Sequence, residues 1–110
     1  MSHDLNYVWE KFYRATVTLA RSNGDLAPAL AEAYLEHIQW ALPPGRDVAP
    51  DLAAGVEEVQ RRMTQRPDPG DGSGTVRASV QLMTAEELRE VAEQIVEIAF
   101  DLSRQMWSDR

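Results

Sequence analysis

The chain has 110 residues, of which 44% are hydrophobic and 26% charged, and its net charge is −7 at pH 7. This length and composition predict a single globular domain over residues 1–110 and exclude a disordered chain. The absence of cysteine excludes disulfides, thiolate metal sites and a cysteine nucleophile. No apolar run approaches the length of a membrane span and the first 25 residues lack the pattern of a signal peptide, so we expect a cytoplasmic protein that does not bind membranes.

Four segments carry apolar residues at helical spacing, and the sequence therefore predicts an all-α fold, a four-helix bundle. The first helix is predicted over about residues 5–21 and the second over about 25–42, with an apolar arc that covers more than half of its circumference. The third begins near Pro50 and ends near residue 65, with a narrow apolar stripe. The last runs over about 84–107 and starts with the strongest N-terminal motif in the chain, a capping box from Thr84 to Glu87.

Two segments lie between the third and last helices. Residues 66–74 are rich in glycine, proline and aspartate and predict a flexible loop; they lack the lysine that a phosphate-binding loop requires. Residues 75–83 alternate between apolar and polar side chains, which predicts an extended strap that precedes the last helix. No second strand candidate exists to pair with it. The strap is therefore expected to cross the bundle, to pair with its copy in a dimer, or to be partly helical.

Two apolar edges exceed what the predicted core needs. The second helix carries Trp40 beside one edge, and the last helix carries another about 100° from its core stripe. Extra apolar edges of this kind indicate an interface, so we predict a homodimer or a partner-binding surface. The candidate interface residues are Leu35, Ile38, Trp40, Leu42, Val96, Phe100 and Trp107.

The last helix also carries an acidic ridge opposite its core stripe, formed by Glu90, Glu93, Glu97 and Asp101. Such a ridge is usually a solvated helix face, although it can also dock a basic partner. We predict no metal site, since the Glu-x-x-His motifs of di-iron bundles are absent. We also predict no direct contact with nucleic acid, because the chain is acidic and its arginines are scattered.

The chain shows no catalytic constellation, and we predict that it is not an enzyme and uses no cofactor. Of its two histidines, His3 lies near the terminus and His37 falls within the apolar arc of the second helix. His37 has the intrinsic pKa of a general base, but a core or interface histidine is the commoner case. Without catalytic partners that the sequence can identify, His37 is predicted to be structural.

These observations favour a small acidic protein-interaction module, an accessory or regulatory subunit that acts by surface complementarity. In this hypothesis an apolar edge assembles the homodimer and the acidic ridge meets a basic partner. The alternative hypothesis is an acidic inhibitor, similar to an antitoxin, that occupies the basic nucleic-acid-binding groove of a partner protein. The two differ in salt dependence, because salt weakens a charge-based interface and leaves an apolar one intact.

Overall fold

The computed structural model describes residues 5–70 and 74–108, and 76% of these residues are helical. The described ranges contain no strand, which confirms the all-α prediction. Their regular elements are α1 (Leu5–Ala20), α2 (Leu26–Glu36), a 3-10 turn (Ile38–Ala41), α3 (Pro50–Met63), α4 (Gly74–Gln81) and α5 (Ala85–Ser108).

One cluster of buried apolar side chains draws on all five of these helices. Helix α1 packs against α2, α5 and the 3-10 turn, while α3 packs against α5 and α4 contacts both α2 and α3. The predicted stripes are buried because apolar residues three or four apart share one face of a helix. Stripe residues that the structure buries are Val8, Phe12, Leu19, Val56, Val59, Met63, Val91, Ile95, Ile98 and Leu102.

Helix α4 occupies most of the segment for which the sequence predicts an extended strap over 75–83, and that prediction is wrong. Val76 and Val80 are buried as expected, but Ser79 is also buried, at 1% exposure. Val76, Ser79 and Val80 follow the i, i+3, i+4 spacing of a helix face. A lone strand would leave its backbone N–H and C=O groups unpaired, whereas a helix pairs them within the segment. The open alternative, a partly helical segment, is therefore the correct one.

Helix α2 ends at Glu36, well before the predicted end near Leu42. The backbone of His37 is not helical, and its N–H donates to the carbonyl of Ala33 at 3.2 Å. The chain then enters the 3-10 turn, in which side chains advance by about 120° per residue instead of 100°. The predicted apolar arc therefore does not continue past Glu36.

The predicted loop over 66–74 is irregular and exposed from residue 66 to residue 70. The carboxylate of Asp68 accepts the backbone N–H of Gly70 at 2.9 Å and that of Gly74 at 3.1 Å. Gly74 already belongs to α4, and residues 71–73 lie outside the described residues. Across the two described ranges, every helix is too short or too polar to cross a bilayer.

Candidate functional site

An apolar groove lies between α1 and α5 and has a volume of about 340 Å³. It lies along the helix pair that also forms the widest packing contact of the fold. Three of its seven lining residues have small side chains, which leave room for a groove where two helices pack. The lining residues are Trp9, Tyr13 and Thr16 of α1, and Val96, Ala99, Phe100 and Ser103 of α5.

Aromatic rings form the sides of this groove. Trp9 and Tyr13, four residues apart on α1, stack with their ring centroids 5.5 Å apart and their planes 23° from parallel. Phe100 on α5 is 68% exposed. The hydroxyl of Thr16 donates to the carbonyl of Phe12 at 3.0 Å, so the groove contains a hydroxyl whose hydrogen bond is already made. The groove is therefore suited to an apolar ligand surface.

The predicted edge of the last helix is present on the surface. Val96 is half-buried and lines the groove, Phe100 lines it and is exposed, and Trp107 lies further along α5 at 66% exposure. Three residues on one side of a helix, spread over 96–107, extend for about 16 Å at 1.5 Å per residue. The structure adds α1 as a second wall. Trp9 and Tyr13 belong to that wall, and neither of them is among the interface residues predicted from the sequence.

The predicted edge of the second helix is mostly covered, and the prediction that Ile38 lies on an exposed interface is wrong. Ile38 is fully buried, and Leu35 and Leu42 are partly buried against the core. The 3-10 turn, which packs against α1 and α2, carries Ile38 inward. Only Trp40 of this set is exposed, at 57%. A helix-two edge therefore does not exist as a continuous surface.

The acidic ridge is divided by ion pairs. Glu90 accepts a hydrogen bond from Arg62 of α3 at 3.4 Å, and Asp101 pairs with Arg104 one turn further along α5. Glu93 and Glu97 are exposed and make no ion pair within the described residues. Within residues 5–70 and 74–108, no group of three potential metal ligands comes together. The ridge therefore offers two carboxylates rather than four.

A polar region surrounds His37 on the side of α1 away from the core. The Nε2 atom of His37 lies 3.2 Å from the hydroxyl oxygen of Thr18, and that hydroxyl donates to the carbonyl of Arg14 at 3.1 Å. Because a hydroxyl has a single proton, the Nε2–H of His37 is the donor to Thr18. Burial lowers the pKa of His37, and the nearby carboxylate of Glu36 opposes this shift. The sequence predicted that His37 lies within the apolar arc of the second helix, but the structure places it, partly exposed, just after the end of α2. His3 lies outside the described residues.

Two clefts adjoin this hydrogen bond. One, of about 460 Å³, is lined by the α1–α2 connection and the polar side of α2, and includes Asp25, Glu32 and Glu36. The other, of about 500 Å³, includes Arg14 and Arg21. We call the second one the basic cleft; its lining residues are Trp9, Glu10, Tyr13, Arg14, Val17, Thr18, Arg21 and His37. Trp9 and Tyr13 line both the basic cleft and the apolar groove, so the two adjoin across this aromatic pair.

The sequence contained one signal for the α1 side of this site. Aromatic residues at positions 9 and 13 have the i, i+4 spacing of neighbours on a helix surface. No sequence pattern indicated that Thr18 and His37 meet, because they lie on different elements and their contact depends on the path of the 3-10 turn. Comparison with protein-family models, curated proteins and solved structures found no significant match to this chain.

Proposed function

We propose that this protein is a small interaction module, an accessory or regulatory subunit, that works as a homodimer joined through the apolar groove between α1 and α5. In this proposal α1, α2, α3 and α5 form a four-helix bundle to which α4 is added. The observation that carries the proposal is the exposed Phe100 ring beside a groove walled by the stacked rings of Trp9 and Tyr13. Exposed aromatic side chains beside an apolar concavity are typical of interfaces.

A second copy is the occupant that this face fits best. A twofold interface requires one surface patch to be complementary to itself. The α1/α5 face carries a protruding group, Phe100, and a concave apolar groove on the same side of the molecule. Two copies can therefore place each Phe100 ring against the groove of the other. Trp107 extends the apolar edge along α5 and adds to the area that such a dimer buries.

The required area is compatible with the size of the molecule. Stable interfaces bury about 800 Å² on each partner. The surface of this chain is 6659 Å², so a face of that size would be about one eighth of the total. A two-helix face with three exposed aromatic rings is a reasonable source of that area.

The alternative hypothesis of an acidic inhibitor has less support from the structure than it had from the sequence. Phosphate mimicry by the ridge requires several free carboxylates in a row, because each replaces a phosphate in a basic groove. Arg62 and Arg104 already engage Glu90 and Asp101. Glu93 and Glu97 alone form a short acidic surface.

The mass of the protein in solution tests whether it is a dimer. Sedimentation equilibrium at tens of micromolar should give twice the chain mass, both at low salt and in about 1 M salt, because an apolar interface persists when charges are screened. Phe100→Glu places a charge in the interface and should give a monomer. Leu82→Glu is the matched control: Leu82 is 63% exposed and lies away from the groove, so this variant should remain a dimer.

A monomeric wild-type protein at these concentrations contradicts the homodimer. A Phe100→Glu variant that remains dimeric shows that the groove is not the interface. Circular dichroism of each variant confirms that the helices are retained, which the exposure of both residues leads us to expect.

A further inference from the structure

We infer that the dimer is cross-paired, with α1 of each subunit facing α5 of the other and the basic cleft receiving Glu93 and Glu97 of the partner subunit. This inference rests on the proposed function, since it specifies how the second copy occupies the groove. Three features of the structure support it: the basic cleft adjoins the groove, each wall carries its own charged residues, and the acidic residues lie beside the apolar edge.

The groove adjoins the basic cleft across the Trp9–Tyr13 pair. Among the residues that line the basic cleft, Arg14 and Arg21 are basic and Glu10 is acidic; Arg21 also lines the neighbouring cleft of Asp25, Glu32 and Glu36. Glu10 is bound to Arg14 at 3.2 Å, which leaves Arg21 without an ion pair among the described residues. In a chain with a net charge of −7, two arginines beside an apolar groove are distinctive. A ligand that fills both must be apolar at one side and acidic at the other.

Helix α5 of a second copy has this combination. Glu93 precedes Val96 by three residues, and Glu97 precedes Phe100 by three, so each carboxylate neighbours an apolar residue of the interface on the helix surface. Both carboxylates are exposed and carry no ion pair within the described residues. When Phe100 enters the groove of the other subunit, these carboxylates lie on the side that the basic cleft can reach.

Charge selects between the two twofold arrangements of a two-helix face. With the twofold axis parallel to the groove, α1 faces α5 of the partner and positive charge meets negative charge. With the axis across the groove, α1 faces α1 and α5 faces α5, so like charges meet on both sides. Like charges in contact across an interface are strongly unfavourable. The structure therefore favours the cross-paired arrangement.

Charge reversal tests this pairing. One variant combines Arg14→Glu with Arg21→Glu, a second combines Glu93→Arg with Glu97→Arg, and a third carries all four changes. In the cross-paired dimer each double variant puts like charges together twice, and its dissociation constant should rise at least about tenfold at low salt. The fourfold variant restores opposite charges and should recover most of the wild-type affinity. Salt should reduce the difference between the variants.

Net charge alone predicts a different outcome and is controlled separately. The Glu93→Arg/Glu97→Arg variant reduces the negative net charge from −7 to −3. If overall repulsion between the subunits alone set the affinity, this variant would bind more tightly than the wild-type protein. The control variant combines Arg66→Glu with Arg77→Glu, two exposed positions away from the groove. Its net charge is −11, the same as that of the Arg14→Glu/Arg21→Glu variant. This control should dimerise nearly as well as the wild-type protein.

Two results separate failure of this inference from failure of the proposed function. If the wild-type protein dimerises and Phe100→Glu dissociates it, but both double variants dimerise as tightly as the Arg66→Glu/Arg77→Glu control, the dimer stands and the cross-pairing is wrong. If the wild-type protein is a monomer, the proposed function itself fails. Recovery of affinity in the fourfold variant supports both the homodimer and its cross-paired arrangement.

Discussion

His37 illustrates how a single side chain links pH to stability in this protein. Its Nε2–H donates to Thr18, and burial lowers the pKa of the ring in the folded chain. The unfolded chain binds a proton at His37 near pH 6.5, whereas the folded chain binds it only at lower pH. The free energy of unfolding therefore decreases as the pH falls below about 6.5, because protons then bind His37 of the unfolded chain first. The stabilisation that neutral His37 provides is fully present above that pH.

His37→Gln should reduce this pH dependence. Glutamine does not titrate and retains an amide N–H that can donate to Thr18, so the variant should remain folded. We expect the fall in the free energy of unfolding between pH 7.5 and pH 5.0 to be smaller in the variant than in the wild-type protein. Urea denaturation at both pH values measures it. Equal losses in the two proteins would show that His37 titrates alike in the folded and unfolded chains.

At the scale of the helix, the capping box of α5 is the motif that the sequence predicted most completely. The hydroxyl of Thr84 accepts the N–H of Glu87 at 3.1 Å, and the carboxylate of Glu87 accepts the N–H of Thr84 at 3.0 Å. This confirms the prediction. The hydrogen bond from the Thr84 backbone lowers the pKa of Glu87, which is the expected effect when a carboxylate accepts an N–H.

Removing the cap should destabilise the protein. Thr84→Ala leaves the N–H of Glu87 without its side-chain acceptor, and the free energy of unfolding should fall by about 1 kcal/mol. Thr64→Ala is the control, because Thr64 directly follows α3 and its hydroxyl donates to the Gln60 carbonyl of that helix without accepting a helix N–H. Chemical denaturation compares the two. An equal effect of both substitutions would contradict a specific role for the cap.

Helix α3 contains a glycine that its surroundings do not require. A Cβ atom at Gly55 would lie 3.5 Å from Cδ1 and 3.6 Å from Cγ1 of Ile98, which is ordinary van der Waals contact. Gly55→Ala should therefore raise the free energy of unfolding by about 0.5–1 kcal/mol, since glycine is entropically unfavourable in a helix.

Gly24→Ala provides the contrast. Gly24 has a φ of +90°, which alanine adopts only with strain, so this substitution should lower stability although no atom blocks the added methyl group. Opposite signs of the two effects in thermal denaturation are expected. A destabilised Gly55→Ala variant would mean that α3 and α5 cannot accommodate the methyl group between them.

At the scale of the whole molecule, packing decided which predicted apolar edges stayed on the surface. The sequence predicted one apolar edge on the second helix and one on the last helix. It contained no information on which of these two edges other elements would cover. The 3-10 turn directs Ile38 into the core, while α5 keeps Phe100 and Trp107 outside. The same packing places Trp9 and Tyr13 opposite Val96 and so creates the groove.

The sequence by itself determined α1, α3 and α5, the beginning of α2, the buried stripes of these helices and the cap of α5, because these depend on spacing along one element. The tertiary structure decided three other features. Residues 75–81 are helical since no other part of the described chain forms a strand to pair with them, and the α2 edge is covered because the chain turns at His37. The apolar groove and the basic cleft adjoin because Trp9 and Tyr13 line both of them. Each of these depends on which elements meet, and periodicity in a single segment carries no information about its neighbours.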